Sequence, residues 1–216
     1  MKKWRAAHAD SAKPIATGTK VDRICICVRK RPINDKERKK RDHDSITCLH
    51  PNVWVHNAKL RVDGITKYLD HNSFGFDCAF DEGNSTEDVY RHSTMHLVDF
   101  VCQGRGCRAT VFAYGQTGSG KTYTMNAIQT MVAEDIFLLL SKHGSAVNEG
   151  GCSIEDTTVT VAFFELYGGR VQDLLNNRHR LKVLEDGKGE VVVSGLEEFE
   201  VNDPKQLLEL IDSANR

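Results

Sequence analysis

One eight-residue stretch constrains this chain more than any other. Gly115-Gln116-Thr117-Gly118-Ser119-Gly120-Lys121-Thr122 matches the phosphate-binding loop G-x-x-x-x-G-K-[ST] at every defined position. Its glycines let backbone N–H groups converge on an anion, and a helix that follows adds its positive N-terminal end. We expect Lys121 to reach the β- and γ-phosphates of a nucleotide and Thr122 to place its hydroxyl on a magnesium ion. A plain glycine-rich turn is the alternative, and the full match favours a phosphate site.

The segments on either side of the loop support this prediction. Residues 109–113 (Ala-Thr-Val-Phe-Ala) read as a buried strand that leads into the loop. Apolar residues then recur at helical spacing, at Met125, Ile128, Val132, Ile136 and Leu139. A strand, a glycine loop and a helix in this order are what a phosphate-binding loop requires.

Length and charge narrow the classes of protein. A chain of 216 residues suits one domain, or one and a part. Because 29 Lys and Arg balance 30 Asp and Glu, we expect neither a nucleic-acid partner nor an anionic membrane. No apolar run approaches the roughly 20 residues of a membrane span. The seven cysteines form no C-x-x-C pair, which favours a reducing cytoplasm over a zinc site or a disulfide scaffold.

The first half of the chain reads as a short extension followed by strands. Residues 1–20 are polar and are expected to be poorly ordered, and residues 21–28 predict a central strand. The basic run at 29–41 fits a phosphate-contacting patch, a localisation signal or a solvated loop. Short strands are expected at 45–49, 53–55 and 60–62, and alternation predicts one strand over 74–80 with Phe74, Phe76, Cys78 and Phe80 on one face.

The remaining segments alternate between helices and strands. Ser85 and Asp88 indicate the start of a helix that runs to Gly104 and Gly106. On it, His92 and His96 are four residues apart, but a pair without a third ligand favours a structural role over a metal site. A strand over 157–166, a Gly168-Gly169 turn, a hairpin of 181–184 with 190–193, and a helix from Pro204 are also expected.

With these segments placed, the chain resembles the kinesin motor domain over residues 23–216. The resemblance lies in Ala113 to Met125, in Arg29-Lys30-Arg31-Pro32, in Phe80-Asp81-Glu82 through Val89-Tyr90, and in Phe163 to Tyr167 with Asp173-Leu174-Leu175. It implies an α/β fold of the P-loop NTPase type, with a central mixed β-sheet flanked by helices and with its C-terminal strands and helices absent. In this interpretation, residues 21–216 form a partial motor domain.

One segment also resembles a particular branch of that family. Arg61-Val62-Asp63 is similar to the K-V-D loop of the internal-motor kinesins, the thirteenth kinesin family, which depolymerise microtubules. Arg61 keeps the positive charge of the usual lysine, although its planar head is not equivalent to an ammonium. Val183 to Lys188 resembles the same branch. An ordinary exposed hairpin is the alternative for residues 59–63.

The resemblance implies a role for particular residues. Arg29, Arg31, Pro32, Tyr90 and Tyr123 match the positions that enclose the adenine of ATP, and Gly115 to Thr122 match those that hold its phosphates and Mg²⁺. Arg61, Val62 and Asp63 would contact tubulin, with Lys188 as a weaker contact. The implied protein is a cytoplasmic, microtubule-associated ATP hydrolase that couples turnover to depolymerisation. No heptad run supports a coiled-coil dimer within this chain.

The chain also departs from the family pattern. The N-x-x-S-S-R and D-L-A-G-S-E elements, which orient water and help hold Mg²⁺, do not occur in residues 1–216, so no catalytic residue is identifiable. After Met125 the family's Gly-Gly and longer loop are replaced by Asn126-Ala127-Ile128. The alternatives are therefore a truncated, hydrolysis-deficient module that binds nucleotide or tubulin, or an unrelated phosphate-loop protein such as a small kinase. We expect the chain alone to be unstable, because buried strands would lack partners.

Overall fold

The computed structural model describes residues 1–15, 23–103, 106–145 and 157–216, which fall into two compact units. The first unit comprises residues 1–97 and 110–128, and the second comprises residues 98–109 and 129–216. None of the described helices is long and apolar enough to span a membrane. Three helices lie within the first unit, namely α1 (Lys2–His8), α2 (Asp35–Lys39) and α3 (Thr86–Ser93). Two more helices, α4 (Met95–Cys102) and α5 (Lys121–Ser145), contain residues of both units.

Two small sheets form the first unit. Strands β2 (Ile46–Leu49), β3 (Asn52–Leu60) and β4 (Lys67–Gly75) form an antiparallel sheet, while β1 (Cys27–Arg29) and β5 (Cys78–Phe80) pair in parallel. The β3–β4 pairing continues without interruption from Asn52 opposite Gly75 to Leu60 opposite Lys67. A core joins both sheets and consists of Cys48, Val53 and Ala79 with Val28, Ile46 and Phe76.

Several strand predictions for this unit need correction. Residues 60–62 do not begin a strand, because Leu60 ends β3 and the chain turns before β4 starts at Lys67. Residues 74–80 are not one strand, because the chain changes sheets between Gly75 and Cys78. Phe74 is consequently half exposed, whereas Phe80 is fully buried. The strand predicted at 21–28 is confirmed only at its end, as β1, and its described partner is β5 alone.

The N-terminal residues carry helical structure that the sequence did not indicate, and poor order of residues 1–20 stays a prediction. Residues 2–8 form α1, and a short 3-10 turn follows over Ala9–Ser11. Trp4 lies against aromatic rings of β3 and β4, and the Arg5 guanidinium donates to the carbonyl oxygens of Asp44 and Ile46. A tertiary contact thus supports a helix that is too short to be stable in isolation. Residues 16–20 lie outside the described part.

The helix expected after Ser85 forms in two pieces. Ser85 caps α3, since its hydroxyl accepts from the Asp88 amide while the Asp88 carboxylate accepts from the Ser85 amide. The predicted capping box is confirmed. The helix is interrupted at buried Thr94, and α4 follows from Met95 to Cys102. His92 and His96 therefore lie on different helices, and the described residues contain no cluster of three metal-ligating side chains.

The second unit contains two further sheets and helix α6 (Pro204–Ala214). Strands β7 (Phe164–Tyr167), β8 (Arg170–Asp173), β9 (His179–Glu185) and β10 (Val191–Ser194) form an antiparallel sheet, and β6 (Val159–Val161) pairs with β11 (Phe199–Val201). The predicted turn at 168–169, the β9–β10 hairpin and the helix from Pro204 are confirmed, and the Asp203 carboxylate caps α6. The strand expected over 157–166 is divided into β6 and β7, and the core here is Ala133, Val201, Leu207 and Ile211.

The largest disagreement concerns residues 109–113. The sequence predicts a buried strand there, but these residues are extended without strand pairing, and Phe112 is 82% exposed. A strand forms only where a neighbour accepts and donates its ladder hydrogen bonds, and no described strand pairs with this segment. The described strands form four small sheets.

Candidate nucleotide-binding site

The phosphate loop connects residues 109–114 to the first turn of α5. Three of its glycines adopt positive φ angles, 155° at Gly115, 81° at Gly118 and 97° at Gly120. A Cβ atom at Gly115 would approach the Ser119 hydroxyl to 2.7 Å, so a side chain does not fit there. These three positions therefore require glycine for backbone reasons, independently of any ligand. The loop is otherwise solvent-exposed from Gly115 to Ser119.

The positive end of α5 lies at this loop. The first turn of α5 contains no acidic side chain, and the sequence from Gly106 to Ala133 contains neither Asp nor Glu. The N–H groups of the first turn have no intrahelical acceptor, and the helix dipole places partial positive charge beside them. The Lys121 ammonium adds a full charge, and it donates to the carbonyl oxygens of Gly115 at 2.7 Å and Gln116 at 3.0 Å. A compact cationic site results.

Arg29 connects three segments next to the loop. One terminal nitrogen of its guanidinium donates to the Thr124 hydroxyl at 2.9 Å, and the other to the carbonyl oxygen of Asn84 at 3.5 Å. Its guanidinium carbon lies 5.5 Å from the centre of the Tyr123 ring, which is within cation–π range. The predicted contact residues Arg29 and Tyr123 are thus brought together with the first turn of α5. Tyr123 is 71% exposed, so its ring face is available to a ligand.

Arg31 approaches the loop but points its charge away from it. Its Cβ and Cδ atoms lie 4.0 Å from where a Cβ of Gly120 would stand. Its guanidinium forms a two-pronged ion pair with Glu37, one prong of which measures 2.8 Å. The hydrogen bond from Arg31 lowers the pKa of Glu37 to about 2. Glu37 also closes the capping box of α2 with Asn34, so a short helix holds the carboxylate that neutralises Arg31.

The two remaining predicted adenine contacts differ in exposure. Pro32 follows Arg31 and is exposed, as a stacking surface for a planar base requires. Tyr90 lies on α3 and is only 5% exposed, so its ring belongs to the packed interior of the first unit. The structure therefore brings Arg29, Arg31 and Tyr123 to the loop, and it places Tyr90 beneath the surface.

The predicted tubulin-contacting residues Arg61, Val62 and Asp63 form the tip of the β3–β4 hairpin. The Asp63 carboxylate accepts from the amides of Ile65 at 3.0 Å and Thr66 at 2.8 Å, and also from the Thr66 hydroxyl. These bonds, led by that from the Thr66 hydroxyl, lower the pKa of Asp63. Asp63 is thus the residue that closes the tip. Arg61 is exposed, and Val62 and Ile65 project from the tip with exposures of 109% and 83%.

Lys188, the second predicted lattice contact, occupies the β9–β10 loop of the second unit. Its backbone amide donates to the Asp186 carboxylate at 2.8 Å, and the Glu190 amide donates to the same oxygen at 2.9 Å. The Lys188 side chain is exposed. An aspartate therefore closes this loop as it closes the tip of the β3–β4 hairpin.

Sequence reasoning missed the residues that fix these positions. Lys30, between the two predicted arginines, is almost buried and bridges the carboxylates of Asp44 and Glu82 at 2.8 Å each. Thr124 and Asn84 hold Arg29. One sequence pattern could have separated Lys30 from its neighbours. Successive side chains of an extended segment point to opposite faces, so Lys30 is expected on the face opposite Arg29 and Arg31.

The residues present fit a nucleoside triphosphate. The loop offers glycine-only backbone, the start of a long helix and a lysine ammonium, which is the donor set that phosphates require. Arg29 and Tyr123 add a flat cation and an exposed ring beside it. The Thr122 hydroxyl is exposed at the start of α5, where a phosphate-bound Mg²⁺ would be reached.

Comparison with known proteins agrees with this geometry. The family model of the kinesin motor domain matches residues 29–216. The chain is 48% identical over 219 aligned residues to "Diatom spindle kinesin-1" of Cylindrotheca fusiformis, covering 100% of this chain and 33% of that protein. A solved structure described as "KIF14[391-772] dimer two-heads-bound state - AMP-PNP in complex with a microtubule" has a TM-score of 0.70 and 23% identity, covering 90% of this chain and 54% of that one.

The chain belongs to the kinesin motor domain family, and its fold is that of a partial kinesin motor domain of mixed α/β type. It spans about a third of the length of the diatom relative and about half of the chain in the solved structure.

Proposed function

We propose that this chain is the nucleotide-binding part of a microtubule motor that binds ATP with Mg²⁺ at residues 115–122. The observation that carries the proposal is the acid-free phosphate loop, in which Gly115, Gly118 and Gly120 hold positive φ angles at the start of α5. Family membership supports ATP as the nucleotide and the microtubule as the partner. The proposed location is accordingly the cytoplasmic microtubule cytoskeleton.

Each residue of the site has a task in this proposal. The Lys121 ammonium leaves the carbonyl oxygens of Gly115 and Gln116 and donates to the β- and γ-phosphates instead. The Thr122 hydroxyl would hold Mg²⁺, which would supply positive charge to the same phosphates. Arg29 and Tyr123 position the base, with Pro32 as the second stacking surface. Tyr90 supports this arrangement from inside α3.

We further propose that the motor belongs to the internal-motor branch and depolymerises microtubules. The support is the resemblance of residues 61–63 to that branch and the exposure of Arg61 and Val62 at the end of a long hairpin. In this proposal, Arg61 meets the acidic surface of tubulin, Val62 contributes apolar contact, and Asp63 shapes the tip. Lys188 adds a weaker contact from the second unit.

The experiment uses the full-length protein, stabilised microtubules and ATP. We expect loss of polymer that depends on ATP, and we expect joint substitution of Arg61, Val62 and Asp63 by alanine to remove it while ATP affinity is unchanged. Lys39→Ala on α2 is the matched control for loss of one exposed cation. Gliding without polymer loss would refute the depolymerase assignment and leave the motor assignment intact.

ATP binding and ATP turnover, measured on the same full-length protein, distinguish a motor from a binding module. Tight ATP binding without turnover in the full-length protein would support the hydrolysis-deficient module. Absence of ATP binding would overturn the site itself.

A further inference from the structure

An aromatic and imidazole cluster fastens α1 to the three-stranded sheet of the first unit. The Trp4 indole stacks on His8 of its own helix with 4.1 Å between ring centres, and on His71 of β4 with 5.1 Å. It meets His56 of β3 edge-on at 4.6 Å, and Trp54 lies 5.0 Å away. This clasp, formed by Trp4, His8, Trp54, His56 and His71, is separate from the nucleotide site.

A continuous hydrogen-bond chain runs beneath the indole. The Arg5 Nε donates to the Thr47 hydroxyl at 2.8 Å, and that hydroxyl lies 2.8 Å from the His56 Nε2. The His56 Nδ1 in turn lies 2.6 Å from the His71 Nδ1. His56 is 3% exposed and Thr47 is also buried, so water does not replace these partners.

The contact between the two imidazoles restricts how many protons the clasp can hold. Two ring nitrogens 2.6 Å apart share one hydrogen, because one must donate and the other must accept. The pair can thus be neutral or carry a single charge. If both rings were protonated, two N–H groups would face each other, and one ring would have to turn away.

Charges of both signs surround the pair, and those on α1 oppose protonation of His56. Arg5, the Met1 ammonium and His8 lie on α1, whereas Asp44 precedes β2 and Asp70 lies beside His71 on β4. Asp44 is already shared between the Arg5 guanidinium at 2.9 Å and the Lys30 ammonium at 2.8 Å, and Asp70 is paired with Lys59. Burial, His71 and Arg5 together lower the pKa of His56.

We propose that the clasp is a proton-sensitive latch, which holds α1 on the sheet while the His56–His71 pair carries at most one extra proton and releases it when both rings are protonated. His71 is the half-buried ring of the two, so it is the one that turns outward. It then leaves the face of Trp4, and α1 loses this stacking contact with the sheet. Because α1 has seven residues, it unfolds once it is released.

The direction of the pH effect follows from the excluded proton. Free imidazoles titrate near pH 6.5. While α1 is docked, the His56–His71 pair cannot bind a second proton, whereas the pair can bind it once α1 is released. Docking is therefore complete above this pH and weakens as the pH falls below it, by about tenfold per unit for one excluded proton.

The test is hydrogen–deuterium exchange of the full-length protein at pH 7.5 and pH 5.5, with labelling times scaled for intrinsic exchange. Peptides covering residues 1–11 should lose about tenfold protection at the lower pH. His71→Gln keeps a hydrogen-bond acceptor beside His56 but does not titrate, and we expect it to remain protected at both values. His43→Gln, an exposed histidine outside the clasp, should respond as the wild type does.

Further variants keep the result interpretable. Trp4→Ala should abolish protection at both values. If His71→Gln leaves residues 1–11 unprotected at pH 7.5, His71→Phe supplies a non-titrating ring for the same comparison. Equal protection of the wild type at both pH values would overturn the proposal, as would an undiminished response in the non-titrating variants. Either failure leaves the nucleotide proposal untouched.

Discussion

The phosphate loop and the tip of the β3–β4 hairpin are both tight loops built on glycine, yet they treat their backbone amides in opposite ways. At the hairpin tip, the Asp63 carboxylate takes the amides of Ile65 and Thr66, and Gly64 donates to the Arg61 carbonyl oxygen. In the phosphate loop there is no carboxylate, and the internal charge is the Lys121 ammonium, which binds carbonyl oxygens instead.

This difference decides what each loop can bind. At the hairpin tip, the Asp63 carboxylate already accepts from the backbone amides of Ile65 and Thr66. The tip therefore presents side chains to a partner, in this case Arg61, Val62 and Ile65. A loop that carries its own cation has turned carbonyl oxygens inward and leaves N–H groups and positive charge for a ligand. Glycine alone does not identify an anion site, and the sign of the neighbouring charged residue does.

The largest effect is expected from removal of the Lys121 ammonium in the phosphate loop. We expect Lys121→Ala in the full-length protein to weaken ATP binding by about a hundredfold, because a charge-assisted hydrogen bond contributes about 1.5–3 kcal/mol. Calorimetric titration with ATP measures this effect. Lys39→Ala removes an exposed cation from α2 and should leave affinity unchanged. An equal loss in both variants would mean that Lys121 acts only through general charge.

Next in size is the backbone of the phosphate loop. Gly120→Ala should reduce ATP affinity about tenfold, because a side chain at φ 97° is strained by about 1–3 kcal/mol and the loop must shift. Gly187→Ala in the β9–β10 loop is the control, since a Cβ there meets nothing within 4 Å and φ is not in the left-handed region. Unchanged affinity in Gly120→Ala would show that the loop tolerates another geometry.

The hairpin tip should respond to loss of its carboxylate, though by less. Asp63→Ala frees the amides of Ile65 and Thr66 at a solvent-exposed site, so we expect faster amide exchange at residues 61–66 and little change in global unfolding. Asp63→Asn keeps an oxygen acceptor and should behave almost as the wild type. Exchange that is equally fast in both variants would mean that charge, more than hydrogen bonding, closes the tip.

The smallest effect concerns the acid next to the phosphate loop. Glu37→Gln frees the Arg31 guanidinium, so we expect ATP affinity to rise slightly, about twofold. The lowered pKa of Glu37, about 2, keeps its carboxylate charged and the ion pair intact from neutral pH downwards through its ordinary value of 4.5, and the pair is lost only as the pH approaches 2. Affinity measured between pH 6 and 8 should therefore show the same ratio of variant to wild type throughout. A ratio that varies over this range would contradict the assigned partner of Arg31.

Much of this molecule could be read from short-range sequence patterns. The capping box at Ser85 and the β9–β10 hairpin depend on residues a few positions apart, and both form as predicted. Phosphate binding at residues 115–122 stays a prediction. The alternation over 74–80 was misleading because a pattern of period two does not state which sheet each half joins. The resemblance drew attention to residues 61–63, which form the exposed tip. Only the hydrogen bonds in the structure show that Asp63 closes the tip, whereas the side chains of Arg61 and Val62 are exposed.

The sequence by itself determined the family, the phosphate loop and the ends of several helices and strands, because backbone preferences and capping act locally. Tertiary structure decided where residues distant in the chain meet. It placed Trp4 on His71, Arg29 on Thr124 and Lys30 between two carboxylates, and it left residues 109–113 without a described strand partner. The type of a residue limits which contacts its side chain can make. Which distant residue becomes its partner depends on the path of the chain through the fold, and that path is determined cooperatively by many contacts at once.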